Sequence, residues 1–404
     1  MPGTSQQRHV VVACYLGWTL DAFDFFILIL VLRKVAETFH TDITPITWAI
    51  FLTLLLRVVG ALIFGRLADR YGRRPTLMAN VLIYSALELA SGFAPTLTVF
   101  LILRALYGIA MGGEWGVGSS LTMESIPAHW RGRVSGLLQA GYPSGYLLAS
   151  LLNYAEPVLT WRGMFMVGAL PALLVFYIRR NVPESPDWLG RTEAEHKVGI
   201  GAVLRRHLPL TIYAVLLMTA FNFFSHGTQD IYPSVFLGVQ HKFSSSTVST
   251  IAVVYNIGAI CGGLFFGSLS QRIGRRLAIV IAALLSLLAL PLWAFGETPL
   301  LIGVGAFFMQ FFVQGAWGVV PAHLNELSPA TIRGTFPGLV YQLGNFIASG
   351  NGIFQSTIGA RMGHNYSWAL AGVAGTAAVV IALFVGVGWE ARDVRMGEAR
   401  GRPT

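Results

Sequence analysis

Twelve apolar stretches, each near or above the roughly 20 residues that carry a helix across a bilayer, constrain this 404-residue chain more than anything else. They fall near residues 10–32, 46–65, 76–94, 96–122, 134–155, 163–178, 208–238, 246–270, 277–296, 298–324, 334–360 and 366–389. None alternates as a transmembrane barrel strand does, so the expected fold is all-α and integral to the membrane. Only 12% of residues are charged, about half the share usual in a soluble domain.

Charge placement sets orientation. With the amino terminus inside, twenty-one of the 28 Lys and Arg fall on inner segments and five outside (Arg33, Lys34, Arg162, Lys242, Arg361), leaving Arg57 and Arg104 within spans. The positive-inside rule then predicts cytoplasmic termini, and the compact loops suit a cell inner membrane. The net charge of +9 therefore records topology and not a nucleic-acid ligand. No nucleotide-binding loop, nucleophile elbow or metal-ligand cluster is present, so neither an enzyme nor a cofactor is expected. Cys14 and Cys261 offer no disulfide or metal pattern. The first apolar run holds Asp21 and Asp24 and no small-residue cleavage site, so it is expected to persist as a span.

The chain repeats itself. Gly65-Arg-Leu-Ala-Asp69-Arg70-Tyr-Gly72-Arg73-Arg74 returns as Gly267-Ser-Leu-Ser-Gln271-Arg272-Ile-Gly274-Arg275-Arg276. Trp115, Glu124 and Arg131 return as Trp317, Glu326 and Arg333, always at an offset of 202 (317 − 115, 326 − 124, 333 − 131). A parallel repeat of two six-helix halves is expected to hold its ligand between the halves near mid-membrane. The predicted division is 1–180, a polar cytoplasmic linker over 181–207, a second half over 208–390 and a cytoplasmic tail over 391–404.

Polar residues inside such spans are costly, roughly 2.5 kcal/mol or more for a carboxylate at mid-bilayer, and so point to function. In the seventh span Asn222, Ser225, His226, Gln229 and Pro233 follow helical spacing, with Asp230 one turn after His226. His226 and Asp230 are the expected proton carriers. Arg57, deep in the second span, is the expected anion anchor because its planar fork binds a carboxylate through two bonds. The other possibility is that Arg57 is permanently paired with Asp21, Asp24 or Asp230. Asp21 and Asp24 share one face of the first span, and Asp24 is the offset counterpart of His226 (226 − 24 = 202). Asn222, His226, Gln229, Gln342 and Asn345 are further candidate substrate contacts, and Asp24 and Asp21 further candidate proton-coupling carboxyls. Gln310, Gln314, Trp317, Gln139, Tyr142 and Tyr146 suit the pathway lining or ordinary helix packing. Glu88, Glu114, Glu124 and Glu326 read as structural.

The loop Gly65–Arg74, Arg104 with Gly108 and Gly112, and Pro183-Glu-Ser-Pro186 resemble the major facilitator superfamily across nearly the whole chain. The resemblance implies a conformational latch of Asp69 with Arg70 and Arg73, and Gln271 removes the acid from the second copy. Glu124, Arg131, Glu326 and Arg333 suit charge locks beside the same loops. Asn222-Phe-Phe-Ser225-His226-Gly-Thr228-Gln229-Asp230-Ile-Tyr-Pro-Ser234 resembles a signature of the lactate and pyruvate permeases within the sialate:proton symporter family, departing only at Ser234, where that family has Thr. Arg57-Val-Val-Gly60-Ala61 and Asp21-Ala-Phe-Asp24 are similar to its patterns in the second and first spans. The resemblance implies a monomeric importer of a small monocarboxylate with a proton, driven by the proton gradient without nucleotide. Its rivals are a symporter for sialic or aromatic acids, a non-transporting sensor and a drug/proton antiporter.

Overall fold

A computed structural model describes residues 4–41, 43–153, 155–390 and 396. The tail expected over 391–404, with Arg392, Arg395, Arg400 and Arg402, lies outside the described residues except for Met396. All regular structure among the described residues is helical, which lets each backbone N–H and C=O pair within its own segment where water is excluded.

Twelve consecutive passes are seen among the described residues. The first half comprises α1 (Ser5–Thr38), α2 (Ile43–Tyr71), α3 (Arg73–Gly92), α4 (Leu97–Ser125), the broken pair α5 (Ala128–Gln139) and α6 (Gly141–Asn153), and the pair α7 (Glu156–Val167) and α8 (Ala172–Asn181). Three short helices, α9 (Pro186–Leu189), α10 (Glu193–His196) and α11 (Ile200–Arg206), cross the linker. The second half comprises α12 (Leu208–Gln229) continued by a π-helix (Tyr232–Gln240), α13 (Ser245–Ile273), α14 (Arg275–Phe295), α15 (Pro299–Trp317) with α16 (Val320–Leu327), α17 (Phe336–Ala348) with α18 (Asn351–Arg361), and α19 (Ser367–Val387). Nine passes among the described residues are long and apolar enough to span a membrane as they stand. The α3, α5–α6 and α17–α18 passes, which are more polar or interrupted, complete the set.

Two expectations need correction. The seventh span is not one α-helix to residue 238: α12 stops at Gln229, and Asp230 is its C-cap. Pro233 has no N–H to return to Gln229, so the chain continues in wider π turns. Asn222, Ser225, His226 and Gln229 keep their common face, but Pro233 leaves it. The sixth span is longer than 163–178 and breaks between Val167 and Ala172, before Pro171 opens α8.

Close helix approach depends on small residues. A Cβ on Gly108 would lie 2.3 Å from the Thr53 carbonyl oxygen, and one on Gly112 would lie 2.1 Å from that of Arg57. Alpha-4 therefore presses its glycine edge onto the α2 backbone that carries Arg57, the small-xxx-small packing of membrane helices. At the loop between α2 and α3, Gly72 adopts φ +111°, a region that side chains resist, and its counterpart Gly274 adopts φ +98°. That turn starts α3 at Arg73 and swings its side chain back over Asp69.

Gly72→Ala should destabilise the fold by at least about 1–2 kcal/mol through left-handed backbone strain, and its Cβ would also meet Glu184 at 2.3 Å. Gly201, in α11 with nothing within 4 Å of a Cβ, should accept Ala with a change of at most about 1 kcal/mol, in the stabilising direction. Thermal unfolding of the two variants in detergent checks the contrast.

Candidate functional site

The Arg57 side chain is 3% exposed, and neither its Nε nor its Nη2 has a hydrogen-bond partner. Asp21 and Asp24 are fully buried, and all four of their carboxylate oxygens are without partners. Arg57 makes no ion pair within 4 Å with Asp21, Asp24 or Asp230 among the described residues, so the permanent-pair alternative does not match the geometry. It lies within electrostatic reach of Asp21 and Glu114 in its own half and of His226 and Tyr341 in the other. By contrast Arg104, buried on α4, is engaged: Nη2 donates to Glu88 at 2.7 Å and to Ser91 at 2.6 Å, although its Nε has no partner. Arg57 is thus a desolvated cation with donors to spare, on the plane between the halves.

Across that plane, His226 Nδ1 lies 2.9 Å from Asp230 Oδ1, and Nε2 lies 2.8 Å from Asn345 Oδ1. Both ring nitrogens face oxygen acceptors, which a doubly protonated imidazolium satisfies. Asn345 in turn donates to Gln342 Oε1 at 3.4 Å, while Gln342 Nε2 has no partner. The His226 and Asp230 side chains are 25% and 36% exposed, so this pair is reached by solvent while Arg57 is sealed. Two expected ligand contacts are turned elsewhere: the Asn222 amide donates to its own helix at Met218, and Gln229 donates to Gln310 at 2.9 Å.

Aromatic rings close the space around these groups. Trp115 and Trp317, the repeat pair, flank Tyr341 with ring centres at 4.8 and 5.5 Å. Trp18 stacks on Tyr142 at 5.6 Å. Sequence reasoning missed Tyr341, although the offset pointed to it: 341 − 202 is Gln139, which accepts the Trp115 indole N–H at 3.3 Å.

The face bearing the linker is closed by an ion-pair network with two-fold pseudo-symmetry. Arg73 grips Glu124 through Nε at 3.1 Å and Nη2 at 3.0 Å, and Arg275 grips Glu326 at 2.9 and 3.0 Å. Arg131 donates to the Met123 carbonyl and reaches Glu326 at 3.8 Å; Arg333 donates to the Asn325 carbonyl and reaches Glu124 at 3.8 Å. Asp69 accepts from Arg73 at 2.9 Å and, from the opposite half, from the N–H groups of Gly334 and Thr335 and the Thr335 hydroxyl. Gln271 makes the counterparts of two of these contacts with its amide oxygen, accepting from Arg275 at 3.2 Å and from Gly132 N–H at 2.9 Å. The second copy therefore keeps the geometry without the charge. Arg70 does not take the expected place beside Asp69; it is exposed and lies over the Tyr71 ring.

The linker adds contacts that the repeat could not reveal. Asp187 pairs with Arg333 and with Arg191, both at 2.8 Å, and Arg191 reaches Asp69 and Glu124 at 3.6 and 3.5 Å. Glu184 accepts from the N–H groups of Arg73 and Arg74. Burial pushes its carboxyl above the usual range, and those N–H bonds pull it back.

Comparison with known proteins agrees with this architecture. Residues 14–229 match the Major Facilitator Superfamily and residues 210–387 the family described as sugar (and other) transporter. The chain is 30% identical over 379 residues to the carboxylic acid transporter protein homolog of Saccharomyces cerevisiae, covering 86% of this chain but only 60% of the yeast protein's length. It is 29% identical to the sialic acid transporter NanX of Escherichia coli, over 84% of each. The solved proton:xylose symporter XylE superposes with a TM-score of 0.81 at 17% identity, over 98% of each chain.

Asp69→Ala should free the Gly334 and Thr335 amides, raising their hydrogen exchange at least about tenfold, a 1.4 kcal/mol loss of protection. Gln271→Glu should leave both amides at the wild-type rate. Residue-resolved hydrogen exchange in detergent checks both.

Proposed function

The chain belongs to the major facilitator superfamily, and on that premise we propose that this secondary transporter imports a small monocarboxylate of the lactate or pyruvate class together with a proton. The observation that carries the reading is Arg57, a buried guanidinium between the halves with two unpartnered donor groups. A carboxylate is the ligand that a planar fork of this kind takes best. The related yeast and E. coli proteins are named for carboxylic acid and sialic acid, both of them organic anions. The charge distribution supports cytoplasmic termini and a cytoplasmic linker, and the compact loops suit a cell inner membrane.

In this reading the structure corresponds to a state closed toward the cytoplasm. Asp230 and His226, still reached by solvent, take up a proton from outside, with Asp24 and Asp21 as further coupling carboxyls. The anion then seats on Arg57, with Gln342 and Asn345 offering amide contacts. Loading brings the site close to neutrality, so the halves can rock without dragging net charge across a barrier of about 2.3 kcal/mol per charge per 100 mV. The latch around Asp69, Glu124 and Glu326 opens, and the anion leaves to the cytoplasm.

A second reading, a symporter for larger or aromatic acids, is favoured by the packed rings of Trp115, Tyr341 and Trp317, of which Tyr341 is within electrostatic reach of Arg57. Such rings stack on flat conjugated acids and have little to offer lactate. Uptake of lactate, pyruvate, sialate and benzoate by everted and right-side-out vesicles separates the two.

Arg57→Ala should weaken carboxylate transport at least about 100-fold, the loss of a charge-assisted pair worth about 3 kcal/mol, while leaving an uncharged amide analogue unchanged. Equal losses for both would make Arg57 structural. Asp230→Asn should abolish uphill uptake driven by external acid, and full retention would remove Asp230 from coupling.

A further inference from the structure

Glu114 has no part in the cycle described so far. It is fully buried on α4, neither carboxylate oxygen has a partner, and a Cβ added at Gly17 would sit 2.4 Å from Oε1. The ionisable groups that face it are Asp21 and Cys14 on α1, Arg57 on α2 and Tyr84 on α3, with Tyr341 on α17 beyond Arg57. Of the titratable and charged groups on α5 and α16, Arg131 and Glu326 are at the level of Met123 and Glu124, about 15 Å further along α4 at 1.5 Å per residue. Arg133 is exposed over the Trp130 ring, and His323 is within reach of Arg275 and Arg276. Among the described residues, then, the near counter-charge available to Glu114 is Arg57.

A charge count sharpens the point. Asp21, Asp24, Glu88 and Glu114 are all fully buried in the first half, against two buried guanidiniums in the same region, Arg57 and Arg104. Glu88 takes Arg104. Asp24 lies within electrostatic reach of the same Arg104, so Arg57 is left for Asp21 and Glu114, and an isolated carboxylate in a medium without water takes a proton rather than stay charged. The fold does not demand these groups. At the offset of 202, the counterparts of Asp21, Arg57, Glu88, Arg104 and Glu114 are Phe223, Ala259, Leu290, Ala306 and Ala316. The second half packs the same way with no charge at any of these five positions.

We propose that Glu114 is a proton-carrying residue of the transport cycle, neutral while an organic anion occupies Arg57 and ionised against Arg57 once the anion has left. Anion arrival removes the cation that, among the described residues, Glu114 and Asp21 can share, so both hold protons in the loaded site. When the anion departs, Glu114 gives its proton to water on the release side and takes Arg57 as its counter-ion. The inference rests on the proton-coupled anion reading: the proton that enters at Asp230 and His226 is the one Glu114 holds in the loaded site, so one proton crosses with each anion.

The test uses full-length protein in proteoliposomes with lactate as the probe, and benzoate if the wild type takes up no lactate. At one proton per anion and zero potential, an external pH about one unit below the internal pH should give the wild type about tenfold accumulation. Glu114→Gln mimics the neutral carboxyl: exchange of labelled for unlabelled anion should stay within about twofold of wild type, while accumulation collapses to equal concentrations. Glu114→Asp should recover accumulation. Wild-type accumulation in Glu114→Gln overturns the assignment, as does loss of exchange together with accumulation, which marks a structural residue. A wild type that exchanges the anion but never accumulates it overturns the proton-coupled reading itself, and the Glu114 assignment with it.

Discussion

A charge held in a membrane interior must be paired, neutralised by a proton or met by a ligand, and the buried guanidinium of Arg57 is where that constraint bears on this protein. Arg104 shows the resolved case, with Glu88, Ser91 and the faces of Tyr107 and Phe165 around its guanidinium. Among the described residues, Arg57 has no carboxylate within ion-pair distance, and its Nε and Nη2 have no acceptor. Its backbone is clamped by the Gly112 edge of α4, so the cation cannot easily retreat toward solvent. Breaking an ordinary buried pair by removing one partner costs about 3–5 kcal/mol, and a free energy of that size is available to whatever completes Arg57.

The linker face obeys the same rule with the opposite outcome. There each buried cation has its anion: Arg73 with Glu124 and Asp69, Arg275 with Glu326, Arg333 with Asp187. A fully satisfied network closes one face while the centre stays unsatisfied, which is the division of labour that alternating access requires. The linker biases the first half further, because Asp187 and Arg191 join Asp69 and Glu124 to Arg333 of the second half. Gln271 explains how two halves with unequal charge can close alike: its amide oxygen takes the position of an Asp69 carboxylate oxygen.

Much of this was legible in the chain because it is periodic. Apolar runs of bilayer length, a constant 202-residue offset and glycine-arginine loops each write a long-range feature in local letters. The pairing of His226 with Asp230 follows from one helical turn of spacing. The break after Gln229 was not legible at the span level, because the run to residue 238 stays apolar and only Pro233 interrupts it. Arg70 and Arg73 both stand beside an acid in sequence, but the positive φ of Gly72 turns only Arg73 inward. Linker docking by Asp187 and Arg191 leaves no periodic trace, since it has no second copy. Glu114 read as structural because an acid on an apolar helix looks alike whether or not a partner awaits it; only packing reveals that none does.

The central claim is that filling Arg57 with an organic anion and protonating the carboxyls around it are one event. Simultaneous recording of anion and proton entry into proteoliposomes, with potential clamped at zero and no initial pH gradient, tests it most directly. The account predicts that adding the external anion alkalinises the medium in fixed proportion to the anion taken up, and that Arg57→Ala abolishes both fluxes together. Anion entry with no accompanying proton, or proton entry that survives in Arg57→Ala, would contradict it.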